Sequence, residues 1–306
     1  MAANAEGLRW EHQAEERGQL LHPVLVAAFE GWNDAADAAS NAASWLTQHG
    51  TTVRIATIDP EANIDFQARR PQVELIGGVT RHVTWPSNDF FRVHIENRDL
   101  VVLRGIEPNY QWRSFCRTVL AVAAETKCSM VVTFGALLAD VPHSRKARIT
   151  GTATDPELIA RLGLNRSRYE GPTGIVGVLH DMCRLSGVSS ASLWAPVPHY
   201  IASPPNPAAT LALLERFSAL LELPLDLQRL EATAAAWRTK VDEVAAGDDD
   251  VRTYVEQLEE RFDADDDSDP GTHAGPDELT WKDRLPSGDE LARELEEFLR
   301  DERPDE

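Results

Sequence analysis

Several features that mark common protein classes are scarce or missing in this 306-residue chain. It contains only three cysteines, which lie far apart and form no CxxC pair, so neither a disulfide framework nor a zinc site is indicated. No apolar run approaches the ~20 residues that span a bilayer. The N-terminus is acidic and lacks the apolar core of a signal peptide. These absences predict a protein of the reducing cytoplasm with no membrane partner.

Acidic residues are plentiful, but they are unevenly placed along the chain. The net charge is −20, and residues 241–306 hold 25 acidic and 7 basic residues, which leaves only −2 for residues 1–240. Duplex nucleic acid binds through Lys and Arg that neutralise its phosphates. We therefore expect no nucleic-acid partner, and we treat the acidity as a property of the C-terminal fifth of the chain.

The order of apolar patterns predicts an α/β fold. Apolar runs at residues 23–29, 52–58, 130–135 and 192–197 are typical of buried strands, and amphipathic patterns that end near residues 48, 127, 185 and 221 alternate with them. Further apolar stretches at 73–85, 90–96 and 100–104 predict a meander or hairpin that lies in the sheet or extends it. We expect a three-layer α/β/α sandwich over residues 20–222, preceded by an N-terminal extension over residues 1–19.

The C-terminal part predicts a helical extension in three pieces. Apolar residues at spacings of three and four predict a helical hairpin over residues 225–262. Residues 263–280 are acidic and nearly free of apolar side chains, as flexible linkers are. A capping box that begins at Ser287 opens a narrow apolar stripe, which predicts an amphipathic helix over residues 281–306. This acidic tail is a candidate site for a protein partner.

Four segments invite a functional interpretation, and three of them directly follow core strands. They are residues 29–34 (FEGWND), 141–145 (VPHSR), 169–174 (YEGPTG) and 194–200 (WAPVPHY). In open α/β sheets, ligands bind at the carboxyl edge of the strands. The candidate ligand-binding residues are Glu30, Trp32, Asp34, His143, Arg145, Glu170, His199 and Tyr200. Ordinary turns, a helix cap and a solvated basic loop explain the same residues, so both interpretations stay open.

These segments do not form a recognisable catalytic set. The chain contains no GxGxxG, no GxxxxGK[ST] and no GxSxG pattern. His143 and His199 are the histidines best placed for a metal, with Glu30 or Asp34 as a third ligand, but no pair has the i, i+4 spacing of a helical metal site. We therefore predict no catalytic residue, no metal and no cofactor, and we favour a protein that is not an enzyme.

The same segments carry a family resemblance. Residues 29–34, 135–145 (GALLADVPHSR), 169–174 and 192–200 (SLWAPVPHY), followed by PNPAAT at 205–210, are similar to the signature of the proteasome assembly chaperone 2 family. The resemblance covers about residues 23–215, and in the bacterial branch it extends through the helical hairpin. It implies a phosphorylase/hydrolase-like α/β/α sandwich, and it implies homo-oligomers.

The resemblance also bears on partners. Eukaryotic relatives help to assemble proteasome rings, and some archaeal relatives bind the proteasome through a C-terminal tail with a hydrophobic residue, a tyrosine and any residue. This chain reads Arg303, Pro304, Asp305 and Glu306 there, so the resemblance does not extend to direct docking on a proteasome. Bacterial members have also been labelled ATP-grasp ligases, a label that no phosphate-cradling loop in this sequence supports.

Two functions fit these observations. The first is a non-catalytic, oligomeric, assembly-chaperone-like or scaffold protein. The second is an enzyme or sensor that binds a small anionic or nucleoside-like ligand at the carboxyl edge of the sheet, near Trp32, His143, Arg145 and His199.

Overall fold

A computed structural model describes residues 7–11, 19–77, 80–155, 158, 165–166 and 171–266. The strands in this part of the chain are β1 (Leu8–Trp10), β2 (Val24–Glu30), β3 (Thr51–Ile58), β4 (Gln72–Ile76), β5 (Thr80–Thr84), β6 (Asn88–Ile95), β7 (Arg98–Ile106), β8 (Val131–Ala139), β9 (Thr150–Ala153), β10 (Asn165–Arg166) and β11 (Ser190–Pro198). The α-helices are α1 (Ala38–Gln48), α2 (Trp112–Glu125), α3 (Ile175–Leu185), α4 (Pro207–Leu221), α5 (Gln228–Ala246) and α6 (Asp249–Asp266).

One mixed sheet organises the molecule. Within the described residues it has nine strands in the order β1-β3-β6-β7-β2-β8-β11-β9-β10. The central strands β7, β2, β8 and β11 are parallel, whereas β6, β3 and β1 continue the sheet on one side through antiparallel pairs. Helix α2 connects β7 to β8, which lie on either side of β2 and run parallel, so the connection has to cross over. The predicted α/β class is confirmed.

Helices cover both faces of the sheet. Helices α1 and α4 share one apolar core with Val26, Val102 and Phe134, while α2 and α3 share a second core with Leu25 and Leu103 on the opposite face. Because strands between two helical layers are buried on both faces, residues 24–29 of β2 form a continuous apolar run. The three-layer α/β/α sandwich predicted from the sequence is therefore confirmed.

The sequence predicts that residues 73–85 lie in the main sheet or extend it, but the structure shows them outside that sheet. Strands β6 and β7 do extend the main sheet, but β4 and β5 pair with each other as a separate two-stranded sheet. All ten residues of β4 and β5 are exposed. An alternating pattern specifies that a segment is extended, but it does not specify which strand the segment pairs with.

The C-terminal helical extension is also present. Helices α5 and α6 are joined by Gly247 and Asp248, and the residues buried along them include Ala234, Val241 and Leu258. Helix α5 packs on the core through Ala234 and Leu230. None of the helices in the described residues is both long and apolar enough to cross a membrane.

The predicted division into segments stays a prediction. Strand β1 lies within the predicted extension 1–19, and the helical hairpin predicted over 225–262 coincides with α5 and most of α6. Helix α6 ends at Asp266, inside the linker predicted over 263–280. The rest of that linker and the helix predicted over 281–306 lie outside the described residues.

Candidate functional site

The carboxyl ends of the parallel strands bring the predicted segments to one edge of the sheet. The loops after β2, β7, β8 and β11 all begin at this edge. They form two clusters of side chains. The first joins the loops after β2 and β7 to the start of α3, and the second joins the loops after β8 and β11 to the hairpin α5–α6.

Asn33 is the centre of the first cluster. It is almost fully buried, and its Nδ2 donates to Glu107 Oε1 over 2.8 Å. The same Glu107 oxygen accepts the backbone N–H of Ile175, also at 2.8 Å, and so satisfies a free donor at the first turn of α3. A Cβ on Gly174 would lie 2.3 Å from Asn33 Nδ2, so a side chain there would displace the amide. These contacts join segment 29–34 to segment 169–174.

Asp34 acts as a helix cap. Its Oδ1 accepts the backbone N–H groups of Ala39 at 2.8 Å and Ser40 at 3.0 Å, at the beginning of α1. Burial raises the pKa of the Asp34 carboxyl above its ordinary value, against the opposing effect of these hydrogen bonds. Oδ1 of Asp34 therefore already accepts hydrogen bonds from its own chain.

Glu30 and Trp32 point away from this cluster. Glu30 forms an exposed ion pair with Arg69 at 3.6 Å, and Trp32 is 65% exposed. Between them, Gly31 has φ of +130°, a region that L side chains rarely adopt, so the sharp turn favours glycine. The turn thus places Trp32 on the surface of the carboxyl edge.

His143 is the centre of the second cluster. It is 3% exposed, its backbone N–H donates to Tyr200 Oη at 2.8 Å, and its two ring nitrogens face Tyr200 Oη at 2.7 Å and Asp242 Oδ1 at 2.9 Å. A carboxylate only accepts, so Nε2 donates to Asp242, and in the tautomer with its proton on Nε2 the ring accepts the Tyr200 hydroxyl at Nδ1. Burial, together with nearby acidic groups, raises the pKa of Tyr200 to about 12. The phenol therefore remains protonated, as this chain of hydrogen bonds requires.

Three neighbours of His143 bind helix α6. Arg145 forms a two-pronged contact with Asp263, with Nε–Oδ1 at 2.9 Å and Nη2–Oδ2 at 2.7 Å. The Ser144 hydroxyl donates to Glu259. The Arg148 guanidinium lies 3.7 Å from the centre of the Phe262 ring. The hydrogen bond with Arg145 lowers the pKa of Asp263, so the carboxylate stays charged. The basic loop predicted to hold an anion is thus engaged with carboxylates of the chain itself.

His199 completes this second cluster. Its Nδ1 lies 3.0 Å from Asp140 Oδ1, and its ring packs edge-on against Tyr200 and Tyr254. Tyr254 is on α6 and also meets the Tyr200 ring. The structure therefore brings together His143, Arg145, His199 and Tyr200, whereas Asp34, Glu30 and Trp32 lie in or beside the other cluster. Glu170 lies outside the described residues.

Several of the partners were missed by sequence reasoning. Glu107 follows the parallel strand β7, so the topological rule that selected the other loops could have found it. No such signal marks the partners on the C-terminal hairpin, which are Asp242, Tyr254, Glu259, Phe262 and Asp263. They are about 100 positions away from residues 140–148, and only the docking of α5 and α6 makes them neighbours.

The described side chains at this edge offer hydrogen bonds, ion pairs and ring contacts. In the described residues, no group of three His, Cys, Asp or Glu side chains is placed to hold a metal. Burial raises the pKa of the Cys116 and Cys128 thiols to about 12, so they are poor nucleophiles. A cavity of about 290 Å³ lies beside the second cluster. Its lining residues are Ser144, Lys146, Ala208, Leu211, Ala212, Glu215, Glu231 and Arg238.

A three-layer sandwich with a helical hairpin over its carboxyl edge defines the class of α/β protein to which this chain belongs. The model of the PAC2 family, the proteasome assembly chaperone 2 family, matches residues 28–245. The chain belongs to the PAC2 family, which confirms the resemblance seen in the sequence.

Solved structures agree with this assignment. A PAC2 family protein from Streptomyces avermitilis is 47% identical, with a TM-score of 0.72 over 76% of this chain and 99% of its own. A proteasome-assembly chaperone homologue from Mycobacterium tuberculosis is 43% identical, with a TM-score of 0.71 over 76% of this chain and 99% of its own. An archaeal proteasome activator from Pyrococcus furiosus shares the fold at 15% identity and a TM-score of 0.62, over 78% of this chain and 97% of its own. No curated protein matches the chain.

Proposed function

We propose that this protein is a non-catalytic, homo-oligomeric, assembly-chaperone-like or scaffold protein of the cytoplasm that acts by binding other proteins. One observation carries the proposal: residues 143–145, which belong to the family motif, contact the helical hairpin α5–α6. His143, Ser144 and Arg145 contact Asp242, Glu259 and Asp263. An anionic substrate would have to displace these carboxylates before it could bind there.

The relatives suggest the class of partner. The Mycobacterium relative, at 43% identity, is named as a homologue of a proteasome-assembly chaperone. We infer that the partner is a subunit of a ring-shaped protease and that this protein binds it before or during assembly of the ring. Chaperones of this kind need surfaces rather than catalytic groups, in agreement with the hydrogen bonds, ion pairs and ring contacts of the carboxyl edge.

An assembly assay tests this proposal. The full chain is added in substoichiometric amount to separately purified α- and β-type proteasome subunits of the same organism, and peptidase activity and native mass spectra are followed. We expect the active ring to form faster, and we expect a transient complex with one subunit type. An unrelated protein of similar net charge serves as the control. Unchanged assembly together with the absence of any complex would contradict the proposal.

A second candidate is a small-ligand sensor at the same edge. The observation in its favour is the cavity beside Ser144, to which Lys146 and Arg238 contribute positive charge. However, Glu215 and Glu231 line the same cavity, and Lys146 already meets Glu215 at 2.8 Å. Saturable binding of ATP or phosphate in calorimetry would favour this candidate over the first.

A further inference from the structure

The cavity of about 290 Å³ beside the second cluster lies between helix α4, helix α5 and the loop after β8. Residues at spacings of three, four and seven lie on one side of a helix. Four such residues form the wall that α4 contributes, and they are Ala208, Leu211, Ala212 and Glu215. Helix α5 adds Glu231 and Arg238, and the loop adds Ser144 and Lys146. Three elements that are distant in the sequence thus build the cavity.

The floor of the cavity is apolar and belongs to the core of the protein. Leu211 and Ala212 are 6% and 4% exposed, and they are part of the core that α4 shares with the sheet. Ala208 packs against the same core. A ligand in this cavity would therefore place a small aliphatic group on the floor.

The charged residues that line the cavity divide into a satisfied pair and an unsatisfied pair. Lys146 Nζ lies 2.8 Å from Glu215 Oε2, so these two side chains neutralise each other. Arg238 and Glu231, in contrast, form no ion pair with any residue that the structure describes. The Nε of Arg238 is buried and has no hydrogen-bond partner in the same part of the chain. A buried donor without an acceptor is costly, and a ligand that brings an acceptor to Arg238 removes this cost.

The two unpaired charges have opposite signs and a defined spacing. Arg238 follows Glu231 by seven positions on α5, which is about two turns or ~10.5 Å along the helix axis. An extended peptide of two or three residues spans about 7–10 Å. Its carboxylate would meet Arg238, its ammonium group would meet Glu231, and small apolar side chains would lie on Leu211 and Ala212. Ligand pockets usually measure roughly 300–1,000 Å³, so this cavity favours such a small ligand.

Ligands with a single charge fit the cavity less well. A simple anion such as phosphate would meet Glu215 and Glu231 as well as the positive groups. A simple cation would meet Arg238 and Lys146. A ligand with one charge of each sign at its two ends pairs with both unsatisfied residues and leaves the pair of Lys146 with Glu215 intact.

We propose that the cavity between α4, α5 and the loop after β8 is a binding site for a short peptide of two or three small apolar residues with free termini, with the carboxylate on Arg238 and the ammonium group on Glu231. This site rests on the small-ligand alternative, which it narrows to one ligand class, and not on the chaperone role. Hydrolysis of larger peptides is the class of reaction that produces such a ligand.

Calorimetry on the unmodified full chain tests the ligand class. Di-alanine and tri-alanine should bind saturably, with one site per chain. Amidation of the di-alanine carboxylate should weaken binding by about tenfold or more, because Arg238 is half-buried. Acetylation of the amine should weaken it by about threefold, because Glu231 is exposed. Free alanine is too short to join both side chains, so it should bind more weakly than di-alanine.

Variants assign the two ends of the ligand. Arg238→Gln should remove the preference for a free carboxylate and keep the preference for a free ammonium group, whereas Glu231→Gln should do the reverse. Arg229→Gln and Glu243→Gln are matched controls, because both sites are exposed on the same helix and do not line the cavity. Misfolding would weaken all ligands alike, so the crossed pattern separates binding from folding, and circular dichroism checks the fold.

Several results would overturn the proposal. They are the absence of saturable binding by both peptides at millimolar concentration, equal affinity for free and blocked di-alanine, and binding of phosphate or alanine at least as tight as that of di-alanine. Equal weakening by Arg238→Gln and Arg229→Gln would overturn it too. The proteasome-subunit assay does not use these ligands, so the chaperone role can fail while this site stands, and the site can fail while the chaperone role stands.

Discussion

At the scale of single residues, the polar groups at the carboxyl edge form hydrogen bonds within the chain itself. Asp34 caps α1, Asn33 bonds Glu107, and His143 links Tyr200 to Asp242. Each is buried, and a buried polar group without a partner costs about 1–3 kcal/mol. The loops after β7 and β11, together with α1 and α5, supply partners for Asn33 Nδ2, Asp34 Oδ1 and both ring nitrogens of His143. The buried Asn33 Oδ1 and Asp34 Oδ2 have no hydrogen-bond partner among the described residues, so the cost of burial is offset only in part.

The cap of α1 gives a prediction at this scale. Asp34→Ala should lower the free energy of unfolding by about 1–2 kcal/mol, since Ala39 and Ser40 lose their acceptor. Asp34→Asn keeps an acceptor and should lose less. The raised pKa of Asp34 means that the folded chain holds this proton more tightly than the unfolded chain does. The contribution of the carboxyl to stability is therefore full below its ordinary pKa of 3.8 and declines as the pH rises through the raised value.

Denaturant unfolding over this pH range measures the effect. The stability of Asp34→Asn relative to the wild type should increase as the pH rises from below 3.8 towards neutrality. A pH-independent difference between the two proteins would show that the carboxyl is not perturbed.

At the scale of elements, the hairpin α5–α6 is held to the edge partly by charge. Arg145 meets Asp263 and Glu259, and Arg148 covers the Phe262 ring. Salt weakens exposed ion pairs, whereas it does not weaken the buried apolar contacts of Leu258 and Val255. The end of α6 near Phe262 and Asp263 should therefore be the most salt-sensitive part of the extension.

This contrast gives the second prediction. Arg145→Ala should speed amide exchange in the last turns of α6, and salt should have the same effect on the wild type. Arg252→Ala is the matched control, because its partners Asp249 and Glu256 lie on α6 itself. Helix α1 should be unchanged in both variants. Equal protection of α6 in wild type and Arg145→Ala at low salt would show that charge does not hold the helix.

At the scale of the whole molecule, charge and apolar surface are separated. The acidic extension lies at the β8–β11 half of the sheet, whereas the exposed residues Val73, Leu75 and Trp85 belong to the segment between β3 and β6, in the other half. This separation would leave the acidic half available to a foreign partner, as the proposed function requires.

Truncation provides the prediction at this scale. The sequence predicts a flexible linker and a separate amphipathic helix over residues 263–306, so deletion of residues 267–306 should shift the unfolding midpoint by only a few degrees. Deletion from residue 249 also removes Glu259, Phe262 and Asp263, leaves Arg145 and Arg148 without these partners, and should be clearly more destabilising. Calorimetric melting of both proteins measures this. If the shorter deletion already abolishes soluble expression, residues 267–306 belong to the core.

The local patterns of the sequence were sufficient for most of the fold. An amphipathic pattern that ends near residue 185 predicts a helix there, and the structure has α3 over Ile175–Leu185. Asn206 caps α4 by accepting the Ala209 N–H at 3.0 Å. The run at residues 24–29 indicated a strand buried on both faces. Periodicity, caps and apolar runs act within a few residues of each other, so the sequence alone determines them.

Tertiary structure alone decided which residues meet across long separations. The separate hairpin β4–β5, the short strands β1, β9 and β10, and the pairing of Arg145 with Asp263 depend on contacts that no local pattern encodes. The structure places the candidate residues His143 and Arg145 at the carboxyl edge, but their partners on α5 and α6 follow from helix docking. The physical reason is that the residue type fixes the chemistry of a side chain, whereas the packing of the whole chain decides which groups become its partners.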